Sequence, residues 1–131
     1  MDSCTVLVVD DSKFMRTVVA DLLAKANCEV VEASNGAYAV QMYEECQPDL
    51  VLLDILMPEQ DGIETLRQIL DLDSDARVVM VTSLGMGMQD YLEQALDLGA
   101  VGYITKTAIE SQLSGVLETV LGVQMPNEES N

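Results

Sequence analysis

Val6-Leu7-Val8-Val9-Asp10-Asp11 is the stretch from which the fold follows: four apolar residues without a polar interruption, then two carboxylates. A short run that is apolar at every position reads as a strand covered on both faces, as parallel strands in α/β proteins are. The design returns along the chain. Leu50-Val51-Leu52-Leu53 ends in Asp54, Val78-Val79-Met80-Val81 ends in Thr82-Ser83, and Val101-Gly102-Tyr103-Ile104-Thr105 ends in Lys106. Only the second run, Val30-Val31-Glu32-Ala33, lacks such an ending. As parallel strands of one sheet, these runs gather Asp10, Asp11, Asp54, Thr82 and Lys106 at the carboxyl edge, where open α/β sheets bind ligands. Carboxylates, a hydroxyl and an ammonium together suit Mg²⁺ and a phosphoryl group.

Between the runs the period changes. Apolar residues at 14, 15, 18, 19, 22, 23 and 26 trace one face of a helix, with Ser12 as its N-cap. Ala37, Val40 and Tyr43 mark a second helix after Asn35-Gly36. Asp61-Gly62-Ile63-Glu64 reads as a capping box opening a third, with Ile63, Leu66, Ile69 and Leu70 inward. Met88 to Leu98 is a fourth, ended by Gly99. Thr107-Ala108-Ile109-Glu110 reads as a further capping box, opening a fifth helix through Ile109, Leu113, Val116, Leu117 and Val120 that stops at Gly122. Strict alternation of strand and helix predicts right-handed crossovers and a parallel sheet covered on both faces.

The totals narrow the function. A length of 131 residues fits one domain, and 49% apolar residues suffice for a core. Six Lys and Arg against 23 Asp and Glu leave a formal charge of −17, which excludes direct nucleic-acid binding through phosphate neutralisation. Cys4, Cys28 and Cys46 are too few and scattered for a disulfide framework, none lies in a C-x-x-C pair, and there is no histidine, so zinc is excluded. A reducing cytoplasm fits this cysteine usage. Asp2 and Asp10 spoil a signal-peptide pattern, and no apolar stretch approaches the ~20 residues of a membrane span.

Asp10-Asp11, Asp54-Ile55-Leu56-Met57-Pro58 with Asp61-Gly62, Thr82-Ser83, Tyr103 and Lys106, in this order and each at a strand end, resemble the receiver domain of two-component response regulators, nearest to the single-domain CheY-like type. The resemblance covers roughly residues 4–121. It implies a flavodoxin-like (CheY-like) doubly wound α/β fold, a five-stranded parallel sheet of order 2-1-3-4-5 with five helices. Residues 1–122 then form the receiver domain and 123–131 a flexible polar C-terminal tail. Asp54 is the implied phosphoacceptor. Mg²⁺, or Mn²⁺ in its place, is the implied cofactor, with Asp11, Asp54 and the Leu56 backbone carbonyl as direct ligands and Asp10 acting through water. Lys106 and Thr82 are expected to contact phosphoryl oxygens, and Tyr103 to turn inward as Thr82 moves. Met57-Pro58 and Gly62 are expected to shape the loop after Asp54 and the start of the third helix.

The implied role is that of a phosphorylation switch, a signalling phosphoacceptor rather than a metabolic enzyme. A histidine kinase or a histidine phosphotransfer protein is the expected donor. A downstream effector protein is expected on the face of the fourth helix, fifth strand and fifth helix, with chemotaxis suggested by the single-domain form. No membrane insertion is expected, the location is cytoplasmic, and the state is a monomer or a phosphorylation-dependent dimer. One alternative keeps the fold: a receiver cut from a longer regulator with a DNA-binding or enzymatic output domain. A phosphatase with an aspartyl-phosphate intermediate is disfavoured because Leu56 stands where those enzymes carry an acid. A flavodoxin-like electron carrier is disfavoured because Asp10-Asp11 would repel a flavin phosphate.

One feature departs from most receivers. Thr107 replaces the usual proline after the lysine, so a trans bond and a helix-capping Thr107 are expected. In this family the positions of Leu56 and Leu84 flank the path of the water that hydrolyses the acyl phosphate, and two leucines can only exclude water, so the resemblance implies a long-lived phosphorylated state. The loop Leu84-Gly85-Met86-Gly87-Met88 reads either as a flexible loop or as a coupler between Thr82 and the output face.

Overall fold

The computed structural model describes residues 4–57, 61–83, 85 and 87–123. The strands are β1 (Cys4–Val9), β2 (Cys28–Ala33), β3 (Leu50–Asp54), β4 (Val78–Thr82) and β5 (Gly102–Thr105). They alternate with α1 (Lys13–Lys25), α2 (Gly36–Cys46), α3 (Gly62–Leu72), α4 (Met88–Leu98) and α5 (Ile109–Val116), the last continuing as a wider π turn over Leu117–Leu121. All pairs are parallel and the order is β2-β1-β3-β4-β5. This is the expected doubly wound sheet, with its switch point between β1 and β3.

The central strands are apolar throughout because both faces are covered. On one face Leu7, Val9, Leu53 and Met80 pack against α2, α3 and α4 through Ala39, Leu66, Ile69 and Leu92. On the other, Val6, Val8, Leu52 and Val81 pack against α1 and α5 through Val19, Leu23, Leu113 and Leu117. Leu7, Leu52, Leu53 and Met80 are less than 2% exposed, and each such side chain contributes about 1.5–3 kcal/mol of burial. The edge strands are shorter on apolar content: Glu29 and Glu32 of β2 and Tyr103 of β5 face solvent.

Helix starts follow their caps. Ser12 Oγ accepts from the Met15 N–H at 3.2 Å and Asp61 Oδ1 from the Glu64 N–H at 2.8 Å. Glu64 turns its own carboxylate to Arg67 and Gln68, so the second half of that box is not made. Gly122, in the left-handed region at φ 70°, ends the fifth helical segment.

Four further expectations are corrected. Thr107 caps nothing: the chain tightens into a 3₁₀ turn over Lys106–Ala108, and Ala108 precedes α5 without a side-chain cap. Phe14 is not on the buried face of α1 but 74% exposed, while Met15 beside it packs against the core. The last strand begins at Gly102, not Val101. Cys4 and Cys28 are in register on β1 and β2 with Cα atoms 4.8 Å apart and form a disulfide, which removes the cysteine argument for a reducing compartment. Among the described residues the peptide bond after Lys106 is trans, as expected. Pro58, Leu84, Met86 and the tail from residue 124 lie outside the described residues. No helix among the described residues is long and apolar enough to cross a membrane.

Candidate functional site

Each chemical side chain sits where a strand ends. β1 stops at Val9 and delivers Asp10 and Asp11, β3 ends on Asp54, β4 on Thr82, and Lys106 follows β5. Asp10 and Asp54 are 4% exposed, whereas Asp11 is open to solvent. One carboxylate oxygen from each of Asp10, Asp11 and Asp54 lies within 4.8 Å of the others, a hard-oxygen donor set that fits Mg²⁺ or Mn²⁺.

Lys106 closes the site. Its Nζ lies 3.1 Å from Asp10 Oδ2 and 3.3 Å from Asp54 Oδ2. The ammonium pairs with two of the three clustered carboxylates, so the cluster keeps an excess of negative charge that favours a divalent cation. The remaining oxygens are held by backbone: Asp10 Oδ1 accepts from the Ser12 N–H at 2.9 Å and Asp54 Oδ1 from the Leu56 N–H at 3.4 Å. Below the site, the Gly62 N–H donates to the Ile55 carbonyl at 2.6 Å. A Cβ on Gly62 would stand 2.7 Å from Ile55 Cα and against the Asp54 carbonyl, so only glycine fits beneath the loop. Met57 is buried in the adjoining core.

Burial, and then the charge of Asp10, raise the Asp54 carboxyl to about 6 despite the opposing pull of Lys106. Asp54 therefore holds its proton to a higher pH than an ordinary aspartate and is largely ionised at neutral pH. Burial alone would lower the Lys106 ammonium; its hydrogen bond to Asp10 and the charges of Asp54 and Asp10 outweigh this and raise it. Lys106 thus stays charged.

Thr82 is fully buried on the same edge, one residue beyond Val81, the register partner of Asp54. Its hydroxyl donates to the Ser83 carbonyl at 3.4 Å. Tyr103 is 49% exposed, so its ring stands outward. Thr105, the register partner of Thr82, is tied to α5: its N–H donates to Gln112 Oε1 at 2.7 Å and its hydroxyl to the same oxygen at 3.1 Å. Leu56, expected to lend its carbonyl, is 50% exposed beside Asp54.

Arg16 was not legible as a site residue. It donates from a terminal nitrogen to the Asp10 carbonyl at 2.7 Å and from Nε to Glu32 at 3.0 Å, clamping the Asp10-Asp11 turn onto α1 and β2. One arginine within a helical pattern carries no signature of that role.

The description "response regulator receiver domain" matches residues 6–118. The chain is 45% identical over 116 residues to the chemotaxis protein CheY of Bacillus subtilis, covering 88% of this chain and 92% of that protein. It is 44% identical over 124 residues to a protein-glutamate methylesterase/protein-glutamine glutaminase of Archaeoglobus fulgidus, covering 92% of this chain but 35% of that protein. Among solved structures, the CheX–CheY complex of Borrelia burgdorferi with BeF₃ and Mg²⁺ superposes with a TM-score of 0.82 at 30% identity, over 90% of this chain and 89% of that one.

Proposed function

Since the chain belongs to the response regulator receiver domain family, whose members are signalling phosphoacceptors, we propose that it is a phosphorylation switch charged at Asp54. A histidine kinase or a histidine phosphotransfer protein presents phosphohistidine. The P–N bond of the donor breaks as an Asp54 carboxylate oxygen bonds to phosphorus, giving an acyl phosphate. Asp11, Asp54 and the Leu56 carbonyl, with Asp10 through a water, would hold Mg²⁺ or Mn²⁺, which would supply positive charge against the phosphoryl oxygens. Lys106 moves its ammonium from the carboxylates to those oxygens, and the Thr82 hydroxyl turns from Ser83 to donate to them. Tyr103 then swings into the space beside Thr82. The population shifts toward a form in which α4, β5 and α5 present a binding surface to a downstream protein.

The observation that carries this reading is the Lys106 Nζ shared between Asp10 and Asp54 inside the acidic cluster. An isolated surface lysine makes no such pair of contacts. Residues 1–122 are taken as the receiver domain and the cytoplasm as its location, where histidine kinases act. Chemotaxis is the proposed pathway, by likeness to the CheY relatives. The match to about a third of a methylesterase favours one second reading, in which the same switch serves a longer regulator. Intact-mass analysis after incubation with acetyl phosphate tests the proposal. One phosphoryl adduct is expected with Mg²⁺ and none without it or in Asp54→Asn; an adduct that survives in Asp54→Asn overturns the assignment.

A further inference from the structure

Lys106 places its ammonium 3.1 Å from Asp10 and 3.3 Å from Asp54, yet its backbone begins at a junction without caps. β5 ends at Thr105, and the chain turns at once into the 3₁₀ turn Lys106–Ala108 that runs into α5. Neither the turn nor the helix has a side-chain cap, and the peptide bond after Lys106 is trans. β5 is an edge strand, so among the described residues no further strand takes the N–H groups of its outer side. A 3₁₀ turn has poorer hydrogen-bond geometry than an α-helix, and lysine is a point charge on a flexible stem. Its aim at two carboxylates needs a fixed base.

One side chain supplies that base. Gln112 Oε1 accepts from the Thr105 N–H at 2.7 Å and from the Thr105 hydroxyl at 3.1 Å. The contact reaches from α5 back to the residue immediately before Lys106. Gln112 stands on a fixed frame, because its neighbour Leu113 and Ile109 at the start of the helix are buried in the core. Thr105 is only 7% exposed, so its N–H and hydroxyl are costly to leave unmade. Both donors belong to Thr105 and one oxygen takes both, which sets the strand end against α5 and with it the backbone of Lys106.

We propose that Gln112 is a positioning residue for Lys106: its amide oxygen fixes Thr105 and so aims the ammonium at Asp10 and Asp54, and at the phosphoryl group during transfer. The second half of this inference rests on the reading of Asp54 as the phosphoacceptor. Gln112 acts through Thr105 and is not itself a catalytic residue. Misplacing a charged group by about 1 Å at a reacting centre can cost on the order of a hundredfold in rate.

The test takes two readouts from the full chain. In the metal-free protein, brief treatment with acetic anhydride and peptide mass spectrometry compare acetylation of Lys106 with that of Lys13 and Lys25, which are exposed on α1. In the native chain the two carboxylates should shield Lys106. Gln112→Ala, which removes the oxygen, should raise Lys106 labelling about threefold or more relative to the other two. Gln112→Glu keeps an acceptor oxygen and should restore the native ratio. With acetyl phosphate and Mg²⁺, Gln112→Ala should form the Asp54 adduct about tenfold more slowly. Gln112→Glu should form it at about half the native rate or faster. Circular dichroism should show both variants folded. Native labelling of Lys106 or a native adduct rate in Gln112→Ala, or no recovery in Gln112→Glu, overturns the inference. A native chain that forms no adduct refutes the phosphoacceptor reading alone, and the labelling ratio still decides whether Gln112 holds Lys106.

Discussion

Replacing Asp54 with asparagine should stabilise the metal-free protein at neutral pH. Burial first, and the charge of Asp10 second, raise the Asp54 carboxyl from 3.8 to about 6. Between these values the folded chain binds the proton and the unfolded chain releases it. Stability therefore falls as pH rises from about 4 through 6, and the full cost is present above the folded value. A difference of about 2 pH units at about 1.36 kcal/mol each gives ~3 kcal/mol as a ceiling. Asp11 and part of Lys106 meet solvent at the mouth of the site, and screening there reduces the figure to about 1–2 kcal/mol. Asparagine keeps the shape and removes the charge, while Lys106 retains Asp10 at 3.1 Å. Urea denaturation in EDTA should show Asp54→Asn more stable than the native chain by about 1–2 kcal/mol at neutral pH. The gap should close as the native Asp54 becomes protonated toward pH ~4. Added Mg²⁺ should stabilise the native chain and leave the variant nearly unchanged. A variant less stable than the native chain at neutral pH, or a gap that does not vary with pH, refutes the electrostatic account of this site.

Gly62→Ala should cost about 1–3 kcal/mol in the same denaturation assay, because its Cβ meets the backbone of Asp54 and Ile55 rather than a side chain that can yield. It should also slow adduct formation by displacing the loop beneath Asp54. Arg16→Ala should weaken Mg²⁺ binding about tenfold, read by calorimetry, because the Asp10 carbonyl loses its clamp; unchanged affinity would make Arg16 a purely structural residue. Tyr43→Phe should cost about 1 kcal/mol, the worth of the 2.7 Å hydrogen bond from the Tyr43 hydroxyl to Asp73, without altering phosphorylation. Leu56→Asn with Leu84→Glu should shorten the lifetime of the acyl phosphate by admitting and orienting water, followed by the decay of the mass adduct.

Much of this was legible because parallel strands buried on both faces leave a simple trace. Val6–Val9, Leu50–Leu53 and Val78–Val81 are apolar at every position, and their ends alone placed Asp10, Asp11, Asp54 and Thr82 on one edge. Lys106 was placed by the same logic, and the structure sets its ammonium between Asp10 and Asp54. What periodicity missed depends on three-dimensional register or on how a turn closes. Cys4 and Cys28 are 24 positions apart in the chain and meet only because β1 pairs with β2 in that register. Phe14 keeps the helical spacing of α1 but lies outside its packed stripe, which in that turn is held by Met15. Thr107 has the chemistry of a cap, yet the 3₁₀ turn over Lys106–Ala108 moves the start of α5 past it.

The most direct test of the central claim is to trap the acyl phosphate. After acetyl phosphate and Mg²⁺, borohydride reduction converts a phosphorylated aspartate to homoserine, and tandem mass spectrometry of the peptides locates it. Homoserine at position 54 and nowhere else is the result expected here. Homoserine at position 10 or 11, or a phosphoryl group retained on the Thr82 hydroxyl, would contradict the assignment of Asp54 as the phosphoacceptor.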